Sequence, residues 1–236
     1  MAGLLRRIAL KHHILHQGSG GIVLVELNAG EQITAESDAM VAMSSSIEVG
    51  ATTGGGIMKA LGRAFLSGET LFMQTLKAVG DAGQVFIAPP LPGSVQVLKC
   101  EPGQGWQIQQ GSFLAALGMI NVETKMQNLG SGFFSGAGLF VTKATGKGHV
   151  AVSAFAGIEE LVLDADTEFV VDTGHIVAWT DGMRIKVQKA AKKGLLASAA
   201  SGEYLVCRFT GPGSVWIQTR NPKSFSAYVQ GLMPSK

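Results

Sequence analysis

The chain has 236 residues, of which 46% are hydrophobic and only 15% charged, with a formal net charge of +2. That composition excludes a disordered chain, and a balance of +2 gives no electrostatic ground for a nucleic-acid partner. The 32 glycines against 7 prolines point to many tight turns between short strands.

Residues 1–12 read as a basic leading extension carrying Arg6, Arg7 and Lys11. They are not expected to act as a signal peptide, because no small-residue cleavage site follows. No apolar run approaches the roughly 20 residues needed to span a bilayer as a helix. His12, His13 and His16 come next; His12 and His16 would share a metal only on a helix, and Gly18-Ser19-Gly20-Gly21 argues for strand and turn. They are expected on the surface, with no metal.

From there the sequence repeats. Ile33–Ala51 shifts by 73 onto Trp106–Thr124 and by a further 63 onto Phe169–Val187, without a gap over 19 residues. Asp38, Gly111 and Gly174 mark a turn, followed by the apolar pairs Met40/Val41, Phe113/Leu114 and Ile176/Val177. Alternation resumes at Ile47/Val49, Ile120/Val122 and Met183/Ile185. A second block, Ser67–Phe72, recurs at Ser135–Phe140 and Ser201–Val206. Each copy leads to a further strand: Val85-Phe86-Ile87, Val150-Ala151-Val152 and Val215-Trp216-Ile217.

Period-two alternation is the pattern of a half-buried strand. Turn signals separate the runs at Asn28-Ala29-Gly30, Glu101-Pro102-Gly103 and Gly211-Pro212-Gly213. The expected fold is therefore all-β: three tandem antiparallel sandwich- or barrel-like repeats about a pseudo-threefold axis. The divisions are an extension 1–12, repeats 13–93, 94–157 and 158–224, and a tail 225–236.

Each repeat carries an apolar insert between its two blocks. In the first, Gly54–Leu66, the residues Ile57, Leu61, Ala64 and Phe65 fall on one helical face and predict a short amphipathic helix. The second is Leu129–Phe134 and the third Lys192–Ala199. Pseudo-symmetry would gather the inserts at one end, giving a candidate interaction surface of Ile57, Leu61, Phe65, Leu66, Phe133, Phe134, Leu195 and Leu196. Lys186, Lys189, Lys192 and Lys193 lie close to the third insert and are expected on a solvated face, where they could also favour anionic lipid.

Other motifs weaken on inspection. Phe169-Val170-Val171-Asp172-Thr173-Gly174 has the form of an aspartic protease signature, but that chemistry needs two carboxylates sharing a proton. The equivalent positions hold Glu36-Ser37-Asp38 and Gln109-Gln110-Gly111, so Asp172 is expected in a strand-end turn. Gly54-Gly55-Gly56 lacks the Gly-Lys-Ser/Thr of a phosphate loop. Cys100 and Cys207 are expected as buried thiols, and His149 and His175 as strand residues with local hydrogen bonds. No catalytic residue, cofactor or metal is expected.

Pro89–Gly93, Gly157–Glu160, Val171–His175, Arg208–Gly213 and Trp216–Pro222, taken together, resemble the altered-inheritance-of-mitochondria family over roughly His13 to Pro222. The resemblance implies three tandem units similar to the tryptophan RNA-binding attenuation protein, and a family with no established catalytic residues. Its fungal members are associated with the mitochondrial inner membrane. Without a clear transit peptide, a bacterial-type, cytoplasmic member is expected, peripheral to the inner membrane through its inserts. The functional expectation is a non-enzymatic structural or interaction protein, self-associating and contacting a protein partner or membrane surface. A small-molecule binding module is the alternative, and a hydrolase using Asp172 the least favoured reading.

Overall fold

The computed structural model describes residues 10–51, 73–127, 139–189 and 205–233. Among the described residues, seventeen strands run in chain order. The first seven are β1 (Lys11–Leu15), β2 (Ile22–Leu27), β3 (Gln32–Glu36), β4 (Met40–Met43), β5 (Ile47–Ala51), β6 (Met73–Ala78) and β7 (Gly83–Ile87). Next come β8 (Gly93–Cys100), β9 (Trp106–Gln109), β10 (Phe113–Gln127) and β11 (Leu139–Phe155). The last six are β12 (Ile158–Leu163), β13 (Glu168–Asp172), β14 (Ile176–Thr180), β15 (Arg184–Lys189), β16 (Leu205–Thr210) and β17 (Gly213–Gln218). A helix, α1 (Pro222–Leu232), follows. Alternation sets the faces: in β2, Val23, Val25 and Leu27 are buried while their neighbours are half-buried.

The strands form a four-stranded sheet (β1-β2-β7-β4), a ten-stranded sheet and a three-stranded sheet (β13-β16-β15), and none closes into a barrel. One set of antiparallel pairings recurs along the chain. Between 22 and 87, β2 and β4 flank β7 while β3 and β5 flank β6. Between 158 and 218, β12 and β14 flank β17 while β13 and β15 flank β16. Between 93 and 155 the same pattern is drawn with longer strands, β8, β9 and β10 all pairing with β11. Register shifts occur at Met40/Ala42, Phe113/Ala115 and Ile176/Ala178, positions related by the same shifts of 73 and 63.

Neighbouring stretches are stitched edge to edge. Ala115 of β10 opposes Ala35 of β3, and Ala178 of β14 opposes Ile108 of β9. Three buried clusters result. The first centres on Val23, Val25, Ile33, Leu76 and Val85 and receives Leu114 and Leu117. The second centres on Ile108, Phe113 and Val150 and receives Val177. The third centres on Trp179, Phe209 and Val215. By contrast, β4 and β13 each end a sheet, so the hydrogen-bonded path does not return on itself.

The amphipathic helix expected in the first insert lies outside the described residues. The helix that is described is α1, which begins at the end of the expected third repeat and runs into the expected tail. Its signal is Asn221-Pro222: the Asn221 side chain accepts the Lys223 N–H at 2.9 Å, and Pro222 takes the first helical position.

Candidate functional site

All eight residues of the expected interaction surface, Ile57, Leu61, Phe65, Leu66, Phe133, Phe134, Leu195 and Leu196, lie outside the described residues. The strands that carry the inserts are described. Residues 52–72, 128–138 and 190–204 each join two strands paired antiparallel: β5 to β6, β10 to β11 and β15 to β16. Ala51 opposes Gln74, Thr124 opposes Thr142 and Val187 opposes Cys207. Ala51, Thr124 and Val187 are again related by 73 and 63, so the hairpins enter the inserts at equivalent register. Of the basic stretch, Lys186 is exposed on β15, while Lys192 and Lys193 lie outside the described residues.

The Asp172-Thr173-Gly174 motif forms the turn that the repeats predict. The Gly174 N–H donates to Asp172 Oδ1 at 2.8 Å across a single 3-10 turn, Thr173–His175. Gln218 then ties the turn to its neighbours. Its amide donates to the Gly174 carbonyl at 2.9 Å, and its Oε1 accepts the Phe155 N–H at 2.8 Å. His175 Nδ1 sits 2.8 Å from the Gln218 carbonyl, the local hydrogen bond expected of it. The Asn221 side chain packs where a Cβ on Gly174 would stand, so any larger residue at 174 would displace the start of α1.

Beside this turn, a cavity of about 660 Å³ opens under α1, between Pro89–Leu91 and the Gln109–Ser112 turn. Among the described residues that line it, Asp172 is the sole carboxylate. Aspartic chemistry needs a second carboxylate sharing the proton, and this cavity does not supply one.

No group of His, Cys, Asp and Glu among the described residues could hold a metal. His12 and His13 lie on strand β1, not a helix, and His13 Nε2 is 3.5 Å from Glu26 Oε1. His149 departs from expectation. Its Nδ1 is buried with no partner among the described residues, and its ring lies 4.8 Å from that of His12. Burial, and then the charges of His12 and Lys99, hold the His149 pKa below its ordinary value. Its neutral form is therefore favoured in the folded state. Above the ordinary histidine pKa neither state carries the proton and nothing is lost. Below it, the unfolded chain binds a proton that the folded chain resists, so stability falls with falling pH. Urea unfolding at about pH 7.5 and about pH 5.5, either side of that value, will show a loss that His149→Phe diminishes.

Cys100 and Cys207 are buried free thiols, as expected. Burial pushes Cys100 up to about 11; burial and then the charge of Asp172 push Cys207 up to about 12. Neither is poised as a nucleophile.

The most tightly knit polar group stitches β9 and β11 to the β14–β15 turn. Asp181 accepts from Gln107 Nε2 at 2.6 Å and from Lys143 Nζ at 2.6 Å. Burial pulls the Asp181 carboxyl upward, but the Lys143 ammonium and the Gln107 amide outweigh it and hold the pKa low. No local pattern signals this group, because its members are 74 and 38 positions apart and adjoin only through strand pairing.

A family profile described as mitochondrial biogenesis AIM24 matches residues 12–220. An uncharacterized protein of Streptococcus pyogenes serotype M6 is 28% identical over 221 residues, covering 91% of this chain and 87% of its own length. The X-ray crystal structure of a Streptococcus pyogenes protein, SPYM3_0169, superposes with a TM-score of 0.77 at 24% identity, covering 95% of this chain and all of the other. That structure shares the fold.

Proposed function

The chain belongs to the mitochondrial biogenesis AIM24 family, and on that premise we propose that it is a non-enzymatic interaction protein. In this reading it consists of three tandem copies of one β unit, each holding its apolar insert toward one contact surface. The observation that carries it is the shared register of the three insert-bearing hairpins, Ala51 with Gln74, Thr124 with Thr142 and Val187 with Cys207. Hairpins in the same register lead into each insert, so apolar sequence at three separate loci would add up to one patch. Exposed apolar patches of more than a few hundred Å² mark sites of contact. The engagement of Asp172 in its turn leaves a hydrolase without support.

The partner we favour is a membrane surface. No helix among the described residues is long and apolar enough to cross a membrane, so contact would be peripheral. The basic residues of β15 and the third insert would favour anionic headgroups. Liposome flotation tests this reading. Wild-type protein is expected to float with anionic vesicles. A variant combining Phe65→Ser, Phe133→Ser, Phe134→Ser and Leu195→Ser is expected to remain in the dense fraction. Wild type that does not float, or a variant that floats equally well, rejects the membrane reading.

A further inference from the structure

We propose that β4 and β13 form a third seam between two copies of the chain, β13 of one copy pairing with β4 of the next. The two seams inside the chain define the contact. Ala35 opposes Ala115, Thr34 opposes Ala116 and Ile33 opposes Leu117 in the first. Ile108 opposes Ala178, Gln107 opposes Trp179 and Trp106 opposes Thr180 in the second. The shifts of 73 and 63 convert the first set into the second without a slip. Applied once more, they leave Val171 and Val170 of β13, with Ala42 and Met43 of β4 as their counterparts. Both strands stand at the end of their sheets, each with one hydrogen-bonding edge unpaired among the described residues.

Burial makes the same point independently. Val41 is 58% exposed, whereas its equivalents Leu114 and Val177 are 0% exposed. On the other edge Phe169 is 48% exposed, against 1% for Ile33 and 7% for Trp106. These positions are apolar in all three copies, yet they are covered only where a neighbouring unit is stitched on. A free edge normally carries lysine, proline or a bulky charge to deter pairing. The four residues of β4, Met40, Val41, Ala42 and Met43, supply none of these.

The occupant is a second copy because both halves of the seam are in this chain and they do not pair with each other. The contact is head to tail, so it builds a ring if the rotation closes and an open chain if it does not. It continues the interface already repeated inside the molecule, and it stands apart from the membrane reading, which concerns the inserts.

Light scattering on a sizing column will give wild-type protein a mass above that of one chain, rising with concentration. Val41→Lys, which places a charge on an already exposed edge position, will elute at the mass of one chain with an unchanged far-ultraviolet spectrum. Paired strands hold opposed Cα atoms about 4.5–5.5 Å apart, a spacing that a disulfide tolerates. Ala42→Cys combined with Val171→Cys will therefore give chain-to-chain disulfides on a non-reducing gel. Three outcomes would overturn the seam: wild type at the mass of one chain throughout, an oligomer indifferent to Val41→Lys, or a disulfide closed within a single chain.

Discussion

Trp179→Ala will lower the unfolding free energy by about 3–5 kcal/mol, the range for deleting a large aromatic from a filled core. Trp179 is fully buried on β14, held between Gln107 of β9 and Val215 of β17. Its ring lies 5.7 Å from that of Phe209, which belongs to β16. The two rings join different sheets, the ten-stranded one and the three-stranded one. Truncation thus opens a cavity where two layers meet, and neither backbone can collapse into it without breaking its own ladder. Tyr228→Ala on the exposed side of α1 is the comparison. Tyr228 is largely exposed, and its loss should fall within about 0.5 kcal/mol of wild type. Urea unfolding followed by far-ultraviolet circular dichroism measures both. A Trp179→Ala loss no larger than that of Tyr228→Ala would mean that the two sheets are held together elsewhere.

The strands were legible in the sequence because alternation is local, and the repeat was legible because its offsets are constant. The register shifts at Met40, Phe113 and Ile176 fall where those offsets place them. What could not be read is who pairs with whom. Val41 and Leu114 look alike as letters; one is exposed and the other buried because only one has a neighbouring strand laid against it. The length of β10 and β11, 15 and 17 residues where short strands were expected, was hidden for a related reason. Glycines that signal a turn in isolation can instead bend a continuing strand. The α1 helix has no buried residue, and its short apolar face of Phe225, Tyr228, Val229 and Leu232 is a weaker sign than the Asn221-Pro222 cap. The apolar inserts are signalled by composition and pseudo-symmetry alone. Their launch points are described, and their side chains lie outside the described residues.

Gly148→Ala will cost about 4 kcal/mol or more, at the exceptional end for a single substitution. Gly118, Gly146 and Gly148 sit close together in the antiparallel ladder of β10 and β11, with φ of 97°, 129° and 153°. Gly118 opposes Gly148, and Ile120 opposes Gly146. This is where the paired strands cross from the part of the ten-stranded sheet beside β3 to the part beside β9 and β14. A side chain in this part of φ space is strained by about 1–3 kcal/mol before any neighbour is counted. Here a Cβ would also collide with the Leu117 carbonyl, and one on Gly146 with the Met119 carbonyl. Both obstacles are backbone in a paired strand, so relief requires the ladder to shift. Gly50→Ala provides the contrast, since a Cβ there meets nothing within 4 Å and its φ is ordinary. It should leave the unfolding midpoint unchanged or raise it slightly. Because the crossing joins the two larger cores, Gly148→Ala should also divide the single unfolding transition into two, with the part that contains β2 and β7 melting apart from the part that contains β16 and β17. A Gly148→Ala protein that unfolds in one step near the wild-type midpoint would show that the crossing bends by other means.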